Sequence, residues 1–141
     1  MNKGFSLIEL LVVIAILGII SAIGVVAYNG YVEISKSKSA ENIIQQIGLA
    51  QSEYFSVNQT NYTQSGACDS AESAKVGTSL LIETNLFEGS EIILENKEGE
   101  YSSKVGYNFC IQDDAEGEYI IHAYNGKKII SLTSMGQWTK D

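Results

Sequence analysis

The hydrophobic residues of this 141-residue chain are concentrated near its N-terminus. From Phe5 to Tyr28 the only charged residue is Glu9, and from Leu10 to Val26 the only polar side chain is that of Ser21. At about 1.5 Å per residue, a helix over residues 5–28 is roughly 36 Å long, enough to cross a hydrocarbon core of about 30 Å. It is also apolar on every face, which is unusual for a core helix of so small a protein. The pattern predicts a membrane-inserted helix.

After residue 28 the apolar pattern narrows to one face. Apolar residues recur at alternating steps of three and four, which is the pattern of an amphipathic helix. The chain contains no proline, so we expect one helix from near Phe5 to about Val57, about 80 Å long. Its second half, residues 29–57, is expected to pack on a globular head. The stripe consists of Ala40, Ile43, Ile47, Ala50, Tyr54 and Val57, widened by Ile44 and Phe55.

The remaining residues, 58–141, predict a head of mixed structure. Residues 58–90 are rich in loop-forming types, with Thr78–Phe87 as the best candidate for a helical turn. An Asn-Gly pair at residues 125 and 126 predicts a two-residue hairpin, and the segment Asp113–Gly117 predicts another. The predicted fold class is therefore α+β, with a four-stranded antiparallel sheet against the amphipathic half-helix. The predicted strands are Ile92–Leu94, Lys104–Gln112, Glu118–Tyr124 and Lys127–Thr133.

The apolar N-terminal segment has more than one interpretation. An ordinary secretory signal has a basic start and a small-residue cleavage site, and here Lys3 and a cut after Ala27 would serve. A permanent membrane anchor has the same apolar run without cleavage. Neither interpretation explains Glu9, because an unpaired carboxylate inside a membrane costs on the order of 3 kcal/mol or more.

The first residues of the segment carry a more specific pattern. The sequence Gly4-Phe5-Ser6-Leu7-Ile8-Glu9-Leu10, followed by an apolar run, resembles the N-terminal signal of type IV pilins and the related pseudopilins. The resemblance implies that a prepilin peptidase cuts between Gly4 and Phe5, so that residues 1–4 are a leader peptide. It also implies that the new N-terminal Phe5 is N-methylated. Glu9 would then pair with the methylated amine of Phe5 on a neighbouring subunit and fix the register of assembly.

The resemblance also implies a role for the whole protein. The chain is expected to be a structural subunit of a type IV pilus, not an enzyme, with no cofactor. It would lie in the inner membrane as a single-pass precursor in contact with lipid, and then in an extracellular filament. Its expected partners are copies of itself in a helical homopolymer, other pilins, the prepilin peptidase and an inner-membrane assembly platform. The pattern leaves open a major or a minor pilin, a pseudopilin of a type II secretion or DNA-uptake system, and an exported soluble domain.

Two glycines interrupt the apolar helix. Gly18 and Gly24 each cost about 1 kcal/mol relative to alanine in a helix interior. They permit either close helix packing or local unwinding when the subunit leaves the bilayer. Many pilins carry a proline where this chain has Val26, so any unwinding here depends on the two glycines.

Charge and cysteine content narrow the possible functions. The formal net charge is −8, and all nine basic residues are lysines, which argues against a nucleic-acid-binding surface. The chain has two cysteines, Cys68 and Cys110. In a small exported domain such a pair predicts a disulfide, whereas cytosolic thiols usually stay reduced.

Two further groups of residues are candidate sites. Asp113, Asp114 and Glu116, with Glu118 nearby, offer oxygen ligands for calcium, as an acidic loop does in some pseudopilins. Their spacing matches no known calcium loop, and acidic hairpin turns are common, so a solvated turn is the favoured interpretation. His122 is the only histidine and lies between apolar neighbours, which favours a packing role over metal binding.

Overall fold

The computed structural model describes residues 4–141, apart from the side chain of Glu116. Most of the predicted leader, residues 1–3, lies outside the described part of the chain. Contacts divide the protein into two units, with the boundary between Ser35 and Lys36. The helices are α1 (Leu7–Asn58) and α2 (Val76–Leu86), with 3₁₀ turns at Ala71–Ser73 and Ala115–Gly117. The strands are β1 (Leu94–Lys97), β2 (Glu100–Ser103), β3 (Asn108–Asp113), β4 (Tyr119–Tyr124), β5 (Ile129–Thr133) and β6 (Trp138–Lys140).

The predicted long helix is confirmed. Helix α1 runs for 52 residues without a break, through both Gly18 and Gly24. It ends at Asn58, after which Gln59 adopts a left-handed conformation with φ of 58°. The amide of Gln59 still donates to the carbonyl of Phe55 at 2.8 Å, which closes the last turn.

The second half of α1 supplies one side of the hydrophobic core. Its buried apolar residues are Ala40, Ile43, Ile44 and Ile47, which pack with sheet residues such as Phe109, Ile111, Ile121 and Ile130. The predicted apolar stripe is wrong at its end, because Val57 is 78% exposed. The fully buried position on the last turns is instead Gln51. Its amide group donates to the carbonyl of Tyr62 at 2.6 Å and accepts from the amide of Tyr62 at 2.9 Å, so a polar side chain fixes the following loop to the helix.

The four-stranded antiparallel sheet is confirmed, but its membership differs from the prediction. The strand order is β3-β4-β5-β6. The fourth strand is β6, which the prediction omits and which pairs with β5 through Ser131 and Thr139. A turn containing Gly136, at φ of 83°, brings β6 back along β5. With only three residues, this strand is too short to give a periodic signal.

The predicted strand Ile92–Leu94 belongs to a separate hairpin. Strand β1 begins at Leu94 and pairs with β2 in a two-stranded sheet. Glu98 and Gly99 connect the two strands with φ of 55° and 91°, as a two-residue turn with positive φ at both positions requires. The predicted strand Lys104–Gln112 is also shorter in the structure and begins at Asn108.

The two predicted hairpin turns differ in outcome. The segment after Asp113 closes the β3–β4 hairpin as expected. The connection between β4 and β5 is not a two-residue turn, because Tyr124 pairs with Ile129 and residues 125–128 form the loop. The side-chain oxygen of Asn125 accepts hydrogen bonds from the amides of Lys127 and Lys128, at 3.0 and 2.8 Å. This local side-chain turn replaces the expected backbone turn.

Strand β3 lies at the edge of the sheet, and the segment that follows α1 covers this edge. The amide of Phe109 donates to the Ser79 hydroxyl at 2.8 Å. The amide of Ile111 donates to the side-chain oxygen of Gln64 at 3.0 Å, and the backbone amide of Gln64 donates to the carbonyl of Ile111 at 2.9 Å. Ser79 and Gln64 therefore satisfy backbone groups that an uncovered edge strand would leave open.

Helix α2 carries a buried carboxylate that the predicted sites do not include. The helix overlaps the predicted turn at Thr78–Phe87, but it begins earlier, at Val76, and ends one residue earlier, at Leu86. The Glu83 side chain is 3% exposed and accepts hydrogen bonds from three consecutive backbone amides, those of Ile92, Ile93 and Leu94. These bonds fix the chain that enters β1, and charge-assisted bonds of this kind are stronger than neutral ones.

Replacing this carboxylate tests its structural role. Glu83→Ala leaves three amide donors without their acceptor, so we expect the free energy of unfolding to fall by about 3 kcal/mol or more. Glu83→Gln keeps one acceptor oxygen and is expected to lose less. Denaturant unfolding of a head fragment attached to the second half of α1, with the exposed Glu53→Ala as control, measures both. Equal stability of Glu83→Ala and the control would contradict this role.

Candidate functional site

The residues singled out at the N-terminus lie at the start of α1. Gly4, Phe5 and Ser6 are neither helical nor extended in a strand, and the helix begins at Leu7. The amide of Ser6 donates to Oε2 of Glu9 at 2.8 Å, and the amide of Glu9 donates to the Ser6 hydroxyl at 3.3 Å. This reciprocal pair is a capping box, which satisfies backbone donors at a helix N-terminus. The predicted site residues do not include Ser6, although its Ser-x-x-Glu spacing is visible in the sequence.

The carboxylate of Glu9 therefore has a partner within its own chain. The N-terminus of a helix also favours negative charge, because the backbone dipoles point their positive ends there. Among the described residues, Oε2 accepts the Ser6 amide, and the Ser6 side chain also interacts with the carboxylate. A carboxylate has about four acceptor sites, so Glu9 can still accept a hydrogen bond from outside the chain.

The helix that carries this cap presents an apolar surface on all sides. Every residue from Gly4 to Tyr31 is exposed, including Phe5 at 81% and Leu7 at 82%. Among residues 4–141, α1 is the one helix that is long and apolar enough to cross a membrane, judged by length and composition. Exposed apolar patches of this size mark surfaces that bind lipid or protein.

The three glycines predicted as site residues have open surroundings. A Cβ atom built at Gly4, Gly18 or Gly24 has nothing within 4 Å beyond its own neighbours and its own helix backbone. None of the three has the positive φ that favours glycine. No contact within the described chain therefore requires glycine at these positions, and the flexibility assigned to Gly18 and Gly24 stays a prediction.

The two cysteines form a disulfide in the structure. The sulfur atoms of Cys68 and Cys110 are 2.03 Å apart, and the two residues are separated by 42 positions. Both are buried and pack with Ala74 and Tyr124. Closing a loop of this length stabilises a protein by about 4 kcal/mol in chain-entropy terms. The bond holds the segment after α1 against strand β3.

The acidic turn shows no cation-binding arrangement among the described groups. Asp113 and Asp114 are exposed, and Oδ1 of Asp114 accepts a hydrogen bond from the amide of Ala115 at 2.8 Å. Glu118 accepts a hydrogen bond from the hydroxyl of Ser134. The side chain of Glu116 lies outside the described groups. Within the described residues, no cluster of three potential metal ligands is found.

His122 lies in a polar network on the sheet. Its Nδ1 is 2.7 Å from the Ser131 hydroxyl, and its Nε2 is 2.8 Å from Oε1 of Gln112. The side chain is buried. Burial disfavours the charged imidazolium and lowers the pKa of His122 below its ordinary value. Both ring nitrogens are satisfied with a neutral ring, so this residue stabilises the sheet.

The start of the chain matches a known family model. A family model described as "Prokaryotic N-terminal methylation motif" matches residues 1–25. The N-terminal region of this chain is therefore similar to the methylation motif at the start of prokaryotic type IV prepilins.

The chain is also similar to proteins named as fimbrial proteins. The chain is 49% identical over 55 residues to the fimbrial protein EcpC of Eikenella corrodens, and this match covers 39% of this chain and 36% of that protein. It is 40% identical over 68 residues to a type IV major fimbrial protein FimA of Dichelobacter nodosus, covering 48% and 37%. The matches thus span little more than a third of these relatives. No solved structure matches the chain significantly.

The network around His122 makes the stability of the head, residues 58–141, depend on pH. Because the pKa is lowered in the folded state, the unfolded chain binds a proton more readily below pH about 6.5. Stability is therefore fully present above that pH and falls as the pH drops towards the folded-state pKa. The slope should not exceed about 1.4 kcal/mol per pH unit.

Thermal unfolding of the head from pH 8 to 5 measures this dependence. His122→Gln keeps hydrogen-bonding capacity but does not titrate, so its stability should vary less over the same range. Glu41, whose pKa is lowered first by its bond to Lys140, loses its contribution at more acidic pH and does not interfere. Identical pH profiles of the two proteins would show that His122 has the same pKa folded and unfolded.

Proposed function

We infer that the protein is a structural subunit of a type IV pilus, processed by a prepilin peptidase and polymerised through its N-terminal helix. The observation that carries this proposal is the surface of α1 from Gly4 to Tyr31. Every residue there is exposed and nearly all are apolar, with one carboxylate at the helix start. A large exposed apolar surface is typical of sites that contact lipid or other protein chains. We propose that this surface contacts lipid first and other chains later.

Lipid is the proposed cover before assembly. Residues 5–28 would cross the inner membrane once, and residues 29–57 and 58–141 would form the amphipathic half-helix and head outside it. The capping box supports this stage, because it gives Glu9 a hydrogen-bond partner within its own chain. Residues 1–4 form the proposed leader, removed by the peptidase.

Copies of the same helix are the proposed cover after assembly. Cleavage after Gly4 creates an α-amine on Phe5, which is then methylated and carries a positive charge. The other carboxylate oxygen of Glu9, Oε1, would bind this amine on a neighbouring subunit. In a desolvated site, removing one member of such a pair costs about 3–5 kcal/mol, because the other charge stays buried. This pairing would set the axial register of the filament.

The relatives support the same role. One of them is named a type IV major fimbrial protein, and another a fimbrial protein. A filament subunit interacts with copies of itself, other pilins and an inner-membrane assembly platform, and these are the partners we assign. No catalytic step or cofactor is part of the proposal.

Release of a soluble domain is the competing function. It needs an ordinary signal peptidase to cut after Ala27. In the structure Ala27 lies inside α1, which continues to Asn58. A cut there would divide a continuous helix, so the geometry favours processing at Gly4, outside the helix.

Substitution at Gly4 tests the processing step. The chain has room for a side chain at this position, so Gly4→Val should not disturb the fold. A branched side chain beside the scissile bond should instead block the peptidase, leaving a full-length precursor in the membrane. Gly4→Ala is expected to be cut at an intermediate rate. Immunoblots for precursor and mature subunit measure the effect, and normal maturation of Gly4→Val would contradict processing at this bond.

Substitution at Glu9 tests the assembly step. Glu9→Gln keeps an oxygen that can accept the Ser6 amide but removes the charge that binds the neighbour's amine. We expect the variant to be inserted and cleaved at Gly4 but to form few filaments by itself. The measurement compares sheared surface filaments with mature subunit in the membrane. Wild-type amounts of filament from Glu9→Gln alone would show that this charge does not hold the subunits together.

A further inference from the structure

We propose that Ser6 is a positioning residue for assembly, because its capping box holds the Glu9 carboxylate ready for the amine of the next subunit. This inference rests on the proposed function and deepens it. It assigns a role to a residue that lies between the scissile bond and the helix, and it gives the two oxygens of Glu9 different partners.

The Glu9 carboxylate is bound to Ser6 of its own chain and would also bind the amine of the next subunit. Oε2 accepts the backbone amide of Ser6 at 2.8 Å, while the Ser6 hydroxyl accepts the amide of Glu9 at 3.3 Å. These two bonds close a ring between the end of the non-helical segment and the first turn of α1. A glutamate side chain has several rotatable bonds, and holding it in one conformation costs entropy. The capping box fixes that conformation before the neighbour arrives.

The position of the box also determines where the new amine lies. Processing is a hydrolysis, in which water adds across the Gly4–Phe5 bond to leave a carboxylate on Gly4 and an amine on Phe5. Because α1 begins at Leu7, Phe5 lies outside the helix, and Phe5 is 81% exposed. An amine on this exposed residue would be accessible to another subunit, and the Glu9 carboxylate can accept more hydrogen bonds than those from Ser6. Preorganised partners of this kind bind more tightly because less freedom is lost on association.

Incorporation into wild-type filaments gives a sensitive test. Each tagged variant is expressed as the full precursor beside wild type, and mass spectrometry compares the variant-to-wild-type ratio in sheared filaments with the ratio of mature subunits in the membrane. This normalisation removes differences in expression and processing. Ser6→Ala should reduce incorporation about fivefold, the factor that corresponds to the ~1 kcal/mol typical of a lost helix cap. Ser6→Thr keeps a capping hydroxyl and should restore incorporation.

Another serine of the same helix provides a matched control. The hydroxyl of Ser56 is exposed and donates to the carbonyl of Ser52 at 2.9 Å, outside the apolar surface from Gly4 to Tyr31. Ser56→Ala removes a hydroxyl from the same helix without touching the capping box or that surface. It should enter filaments at the wild-type ratio.

Double substitution separates positioning from direct contact. If Ser6 acts through the Glu9 charge, Ser6→Ala should reduce incorporation of the Glu9→Gln variant much less than it reduces that of wild type. Additive losses would show that Ser6 acts independently of Glu9 and would overturn the proposal. Equal incorporation of Ser6→Ala and wild type would also overturn it.

The same experiment distinguishes a wrong role for Ser6 from a wrong function for the whole protein. If the wild-type subunit is not cut after Gly4, or does not enter filaments, the proposed function is wrong. If wild type is cut and assembles while Ser6→Ala assembles equally well, only the role of Ser6 is wrong.

Discussion

The exposed apolar surface at the start of α1, residues 4–31, limits the environments in which this protein can be stable. From Gly4 to Tyr31 every residue is exposed, and one carboxylate, that of Glu9, stands at the start of the helix. At about 25 cal/mol for each Å² of apolar area, leaving such a surface in water is strongly unfavourable. Lipid and neighbouring helices are apolar environments that remove this penalty in turn, which is what a subunit moving from membrane to filament requires.

In the head, buried polar side chains hold the backbone in place through hydrogen bonds. Gln51 binds both backbone groups of Tyr62, and Glu83 accepts three consecutive amides ahead of β1. The disulfide between Cys68 and Cys110 adds a covalent link between the connecting segment and β3. These bonds give a single conformation to a region whose composition is that of a loop, and they tie it to a small hydrophobic core.

Sequence patterns predicted the structural features that repeat over many residues. They failed where the contacts of one side chain, or a very short strand, determine the local structure. The long helix was predictable because its apolar pattern continues for about fifty residues without a proline. Strand β6 was not, since three exposed residues carry no periodicity. Gln51 takes a core position through hydrogen bonds, which hydrophobic spacing cannot show. At the N-terminus the motif identified Gly4, Phe5 and Glu9 by resemblance, whereas the proposed role of Ser6 rests on the two hydrogen bonds of the capping box.

We propose that the chain is cut outside the helix, at Gly4, and enters a filament with Phe5 as its first residue. Mass spectrometry of the N-terminal peptide from sheared surface filaments tests this most directly. We expect a peptide that begins at Phe5 and carries one methyl group on its amine. A mature protein that begins at Tyr28 and is found free in the medium would contradict it, because the apolar helix would then have been discarded.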